Sequence, residues 1–137
     1  MNRSLVLDTN ILVSAGLHLD APPGLLVQAV LLRELALFTC PGVVAEYWDV
    51  LTRKKFARLG FPPPWFQPLL DGAHQQAADP DPWPLAGPDP DDLVFLALAR
   101  RTGATLVTGN LADFPEAIRQ GVQVMGPREY LEDSVNP

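Results

Sequence analysis

The residues best placed to do chemistry are carboxylate and amide side chains at the ends of predicted strands. Asp8 directly follows the apolar run Leu5–Leu7, while Asn110 and Asp113 follow a second run over residues 105–108. The carboxyl ends of parallel strands share one edge of a sheet, where ligands commonly bind. A carboxylate entering an apolar setting is costly unless it is paired or bound to a cation. These positions therefore indicate a polar site at one edge of a sheet.

Two further acids lie on predicted helices, beside apolar residues. Glu46 lies next to an apolar stripe at helical spacing, formed by Val43, Val44, Tyr47, Val50 and Leu51. Asp92 begins a helix that is apolar on every side, and it shares a face with Phe95, Leu96 and Ala99. We therefore expect Asp92 to point inward, whereas Asp89, which precedes Pro90, suits an N-cap.

Each of these residues also has an ordinary structural explanation. Asp8 could cap the following helix with Asn10 closing the turn, and Asn110 follows a glycine in a standard turn pair. Glu46 could reach solvent from the edge of its helix, and Asp92 could interact only with the helix dipole. A functional role is favoured because the predicted topology brings all of these residues together at one edge of the sheet.

Carboxylates gathered in this way repel one another, and proteins usually offset this repulsion by binding a divalent cation. The chain has two histidines and one cysteine, Cys40, so soft ligands are scarce. Hard oxygen ligands suit Mg²⁺ or Mn²⁺, which activate water and stabilise charge on a phosphodiester. The predicted chemistry is metal-dependent hydrolysis of a phosphate ester.

The elements that must position these acids alternate between strand and helix. Strands are predicted at 5–7, 37–40, 105–108 and 122–125. Helices are predicted at about 22–36, 41–53 and 65–78, and from 89–92 up to Gly103. A proline-rich loop covers 79–90, and residues 54–59 either extend the preceding helix or form a separate turn. This order predicts an α/β fold with a parallel sheet covered on both faces, in one domain spanning residues 1–137.

Composition limits the partners. A hydrophobic content of 47% supports a substantial core, and a net charge of −6 with a pI near 4.7 disfavours a broadly basic nucleic-acid-binding module. One basic cluster around Phe56 could still contact RNA phosphates, although a solvated helix face explains it equally well. Its members are Arg53, Lys54, Lys55 and Arg58. We expect a soluble, cytoplasmic protein with no membrane partner, since no targeting segment or long apolar stretch is seen.

Four segments carry a family resemblance. They are LVLDTNILVSA from residue 5, PGVVAEYWDVL from residue 41, DPDDLVFLALA from residue 89 and LVTGNLADF from residue 106. In this order and spacing the chain resembles PIN domains over about residues 3–132, and in particular the PIN-domain toxins of bacterial toxin–antitoxin pairs. The resemblance implies a three-layer α/β/α sandwich and a ribonuclease that uses one or two Mg²⁺ or Mn²⁺ ions.

The same resemblance assigns roles to residues. Asp8, Glu46 and Asp92 match the first three acids of the family, and supporting polar positions are matched by Thr9, Asn10 and Thr108. The fourth acid position falls on Asn110, with Asp113 a neighbour that could substitute as a metal ligand. The family also implies a homodimer and an antitoxin partner that blocks the site.

Other functions remain open on the sequence. A degenerate PIN domain that only binds RNA or protein is favoured by Asn110 and opposed by Asp8, Glu46 and Asp92, and a housekeeping RNA-processing nuclease is a further alternative. A haloacid-dehalogenase-like phosphatase or a phosphoacceptor receiver domain also places an aspartate after the first strand. Both need a lysine after a later strand, whereas Lys54 and Lys55 lie in a helical segment.

Overall fold

Strands and helices alternate in the computed structural model, which describes residues 3–135. The strands are β1 (Ser4–Leu7), β2 (Ala36–Thr39), β3 (His74–Gln75), β4 (Thr105–Val107) and β5 (Val124–Met125). The helices are α1 (Thr9–Leu17), α2 (Pro22–Leu31), α3 (Pro41–Leu51), α4 (Lys54–Ala57), α5 (Phe66–Asp71), α6 (Leu93–Thr102) and α7 (Pro127–Val135). Short 3₁₀ turns cover Pro90–Asp92, Leu111–Asp113 and Glu116–Ile118. Within the described residues, every helix is too short or too polar to cross a lipid bilayer.

The five strands form one parallel sheet in the order β3-β2-β1-β4-β5. The chain moves outward from β1 through β2 to β3 and then returns to β4, on the other side of β1. Leu7 of β1 pairs with Val107 of β4, so the two strands end side by side. A reversal of this kind opens a crevice beyond the carboxyl ends of the two central strands.

Helices cover both faces of the sheet. The central strands are buried along almost their whole length, which accounts for their continuous apolar runs. Helix α6 packs against β1, β2 and β4, while α2 packs against α1, α5 and α7. The predicted α/β/α sandwich with a central parallel sheet is confirmed.

Several predicted boundaries were wrong. Helix α1, which starts at Thr9, had no predicted range, and α2 ends at Leu31 because Arg33 has a positive φ of 61°. The helix predicted over 65–78 stops at Asp71, and His74 pairs with Phe38 to form β3. Edge pairing with β2 decided this, a contact between distant residues that helical periodicity cannot show. Helix α7 had no predicted counterpart.

Candidate active site

Asp8 lies at the carboxyl end of β1 and is almost completely buried, with 4% of its surface exposed. Its backbone N–H donates to the carbonyl oxygen of Val107 over 2.9 Å, which extends the pairing of β1 with β4 by one residue. Although Asp8 occupies the N-cap position of α1, its side chain forms no capping hydrogen bond. Burial raises the pKa of Asp8, an effect that the Thr108 hydroxyl opposes.

Two polar side chains hold the Asp8 carboxylate in place. The Thr108 hydroxyl donates to Asp8 Oδ2 over 2.8 Å, and Asn10 Nδ2 donates to the same oxygen over 3.2 Å. Thr108 Oγ1 accepts from the Asn110 N–H, and Asn10 Oδ1 accepts from the Gly109 N–H, each over 3.0 Å. The loops after β1 and β4 are therefore tied together through Asp8.

Glu46 reaches the same region from α3. This helix turns Val43, Tyr47 and Leu51 into the core, which leaves Glu46 half-buried beside the apolar stripe, as its spacing predicts. Burial raises the pKa of Glu46, and the negative charges of nearby Asp91 and Asp49 raise it further.

Asp92 ends the 3₁₀ turn that leads into α6, and it is half-buried. Burial raises its pKa to about 7, helped by repulsion from Asp8, Asp89, Asp113 and Glu46. Asp89 acts instead as the predicted cap, because its Oδ1 accepts from the Asp91 N–H over 3.0 Å.

The residues after β4 separate into two roles. Asp113 is half-buried in the turn Leu111–Asp113, and its charge raises the pKa of both Asp8 and Asp92. Asn110 is exposed and joins the network through its backbone, donating its N–H to Thr108. Of the two candidates for the fourth position, the structure brings Asp113 to the acids.

A cleft of about 330 Å³ collects these side chains. Its lining consists of Asp8, Thr9, Asn10, Val13, Ser14, Glu46, Val50, Lys55, Phe56, Asp92 and Asp113. Lys55 is thus the member of the basic cluster that reaches the cleft, with its ammonium 5.1 Å from the centroid of the Phe56 ring. Arg53 pairs with Asp49 over 3.0 Å on exposed surface, and Lys54 and Arg58 are exposed outside the cleft lining.

The acids suit a hard divalent cation. In residues 3–135, no three Asp, Glu, His or Cys side chains lie close enough together to form a ready metal-binding cluster. Four carboxyl groups nevertheless line one cleft with no histidine or cysteine among them. Burial is the main cause that raises the pKa of Asp8, Glu46 and Asp92, and nearby negative charges raise it further. Oxygen ligands with excess negative charge fit Mg²⁺ or Mn²⁺.

Tyr47 is a residue beside the site that sequence reasoning assigned only to the core. It is fully buried, and its hydroxyl donates to the carbonyl oxygen of Leu7 over 2.6 Å. Burial raises the pKa of Tyr47 well above its usual value, so the phenol remains a donor. In the sequence, the feature that could have indicated this role is the position of Tyr47 directly after Glu46 on the apolar stripe of its helix.

Comparison with protein families identifies the class. The model of the PIN domain matches residues 4–112, which include Asp8, Glu46, Asp92 and Asn110. The chain belongs to the PIN-domain family, a nuclease superfamily whose members typically use divalent metals and bind RNA.

A solved structure agrees on the fold. The crystal structure of PAE2754 from Pyrobaculum aerophilum superposes with a TM-score of 0.57 at 19% sequence identity, covering 98% of this chain and 90% of that one. At this identity the likeness is one of fold. No curated protein sequence matches the chain.

Proposed function

We propose that this protein is a metal-dependent endoribonuclease that hydrolyses RNA phosphodiester bonds in the acidic cleft. The observation that carries the proposal is the meeting of Asp8, Glu46, Asp92 and Asp113 in one cleft, although they come from four separate segments of the chain. Membership of a nuclease superfamily supports the same reaction class.

The four acids would hold Mg²⁺ or Mn²⁺. When bound, such an ion lowers the pKa of a coordinated water and offsets charge on the phosphodiester. Asp8 is kept in one orientation by Thr108 and Asn10, which makes it the best-ordered of these ligands. Without a bound cation, burial and neighbouring negative charges raise the pKa of Asp92 to about 7, and a cation held by Asp92 would favour its ionised form.

Lys55 is the basic side chain that lines the same cleft as the acids. Because Lys55 lines the cleft and is exposed, its ammonium is available to contact an RNA phosphate. A local cation of this kind makes RNA binding compatible with the overall charge of −6.

We favour an active nuclease over the catalytically degenerate alternative. Asn110, the residue that favoured it, is exposed and lies outside the cleft lining, while Asp113 lines the cleft with the other acids. The toxin role, the homodimer, the antitoxin and the cytoplasmic location remain predictions. A small gene for a DNA-binding partner next to this one, and co-purification of its product, would support the toxin role over housekeeping RNA processing.

The test is cleavage of single-stranded and structured RNAs in Mn²⁺, Mg²⁺ or EDTA. We expect cleavage with either metal and none in EDTA. Asp8→Asn and Asp92→Asn should each lower kcat/KM on the order of 10³-fold, because loss of a ligand forfeits several kcal/mol of charge stabilisation. Asp91→Asn is the matched control, since Asp91 adjoins Asp92 but is exposed outside the cleft lining. Cleavage that persists in EDTA or in Asp8→Asn would refute the mechanism.

A further inference from the structure

Tyr47 shares α3 with Glu46 and contacts the two elements that adjoin Asp8 and Asp92, namely β1 and α6. It lies on α3 directly after Glu46, and its hydroxyl bonds to the carbonyl oxygen of Leu7, the residue before Asp8. Its ring stacks against Phe95 with centroids 6.3 Å apart, and Phe95 lies one helical turn after Asp92 on α6. Each contact is therefore made next to an acid.

The contact with β1 is local and directional. The Leu7 carbonyl belongs to the last residue of β1, where the strand gives way to α1. A buried phenol that donates over 2.6 Å to this oxygen fixes the distance between the end of β1 and α3. The ring also meets Phe66 edge-on at 6.2 Å, which limits its rotation.

We propose, on the basis of the function proposed above, that Tyr47 is a positioning residue that sets the spacing of Asp8, Glu46 and Asp92. Tyr47 lies outside the cleft lining and is fully buried, so it acts through its neighbours and does not touch substrate. Removal of its hydroxyl should loosen the acid cleft while the core stays filled.

The deciding variant is Tyr47→Phe, which deletes one hydroxyl and keeps the ring. The control is Trp83→Phe, which removes a different buried aromatic donor together with part of its ring. Trp83 Nε1–H donates to the carbonyl oxygen of Ile118 over 2.8 Å, away from the cleft lining. Thermal unfolding of both variants sets an assay temperature at which each is folded.

Kinetics and hydrogen–deuterium exchange are measured together. In Tyr47→Phe we expect kcat to fall by about 10-fold with KM unchanged, as for loss of a group that orients metal ligands. Exchange of the Asp8 amide, which donates to Val107, should become faster. Trp83→Phe should leave both as in the parent protein.

Phe95→Leu separates the effect of the ring contact with Phe95 from that of the hydrogen bond to Leu7. It keeps an apolar side chain in the core but removes the ring that packs against Tyr47. We expect kcat to fall severalfold while exchange at Asp8 is unchanged, because the bond to Leu7 remains.

The failure of this inference is distinguishable from failure of the proposed function. If Tyr47→Phe matches Trp83→Phe in kcat and in exchange at Asp8, Tyr47 is an ordinary core residue and the inference is wrong. If the parent protein cleaves no RNA, the proposed function fails, and exchange at Asp8 alone then decides the positioning role.

Discussion

The two sides of the cleft differ in how firmly the fold holds them. The inner wall is formed by Asp8 and Asn10 at the end of β1. Thr108, which follows β4, lies behind this wall and forms hydrogen bonds with both residues from a distant part of the chain. The outer wall, formed by Val50, Lys55 and Phe56, comes from the end of α3 and the four-residue α4 and is half-buried or exposed.

This difference separates two tasks within one cleft. Chemistry on a phosphodiester needs carboxylates held in one orientation, which the buried, hydrogen-bonded inner wall provides. Contact with a polymer needs side chains that adjust, and Lys55 rests against the Phe56 ring with its ammonium near solvent. We infer that changes to the inner wall affect kcat and changes to the outer wall affect KM.

Among changes that leave the cleft acids in place, the largest effect is expected from Thr108→Val, which removes the hydroxyl that binds Asp8 while keeping the side-chain shape. Loss of a group that orients a ligand typically costs 10–100-fold, so we expect kcat to fall by about that factor with KM little changed. Thr105→Val is the control, because Thr105 is also buried, at the start of β4, but its hydroxyl donates to Gln123. A rise in KM alone would contradict the assignment of the inner wall to chemistry.

A smaller effect is expected from Lys55→Gln on the outer wall. We expect KM to rise by roughly 2–5-fold at low salt and the salt dependence of binding to weaken by about one phosphate contact, with kcat unchanged. Lys54→Gln is the matched control, since Lys54 is exposed outside the cleft lining. Equal effects of the two variants would show that only net charge matters.

The smallest effect concerns stability and pH in metal-free protein. The pKa of Asp92 is about 7 in the fold against an ordinary value of 3.8, so between these values the folded state binds more protons than the unfolded state. The free energy of unfolding therefore falls as pH rises through this window. We expect the Tm of the parent protein to fall, relative to Asp92→Asn, by a few degrees between pH 4 and 8, measured by calorimetry in EDTA.

Restoring Mn²⁺ at pH 8 should reverse that loss in the parent protein and have less effect in Asp92→Asn. A cation that binds the folded state stabilises it by mass action. A Tm that rises with pH relative to Asp92→Asn would contradict the raised pKa of Asp92.

The sequence predicted the layered α/β fold and its inner strands well, because the continuous apolar runs of β1 and β4 report burial on both faces. It failed at β3, since the residues His74–Gln75 follow a helical pattern and become a strand only by pairing with β2. It gave no range for α1 and offered capping as one explanation for Asp8, whereas the Asp8 carboxylate accepts from Thr108 and Asn10.

The sequence by itself determined the acids and their order along the chain. Asp8, Glu46 and Asp92 stand out because a carboxylate beside an apolar run is energetically costly unless it is paired or bound to a cation. Four segments in the order of a PIN domain indicated the family, which the match over residues 4–112 bears out.

Only the tertiary structure decided which neighbours share the cleft. It brings in Asp113 and leaves Asn110 outside, selects Lys55 from four basic residues, and gives Tyr47 its bond to Leu7. The physical reason is that these facts depend on distances between residues far apart in the chain. Local propensity and periodicity carry no information on such distances, which are set when helices pack onto the sheet.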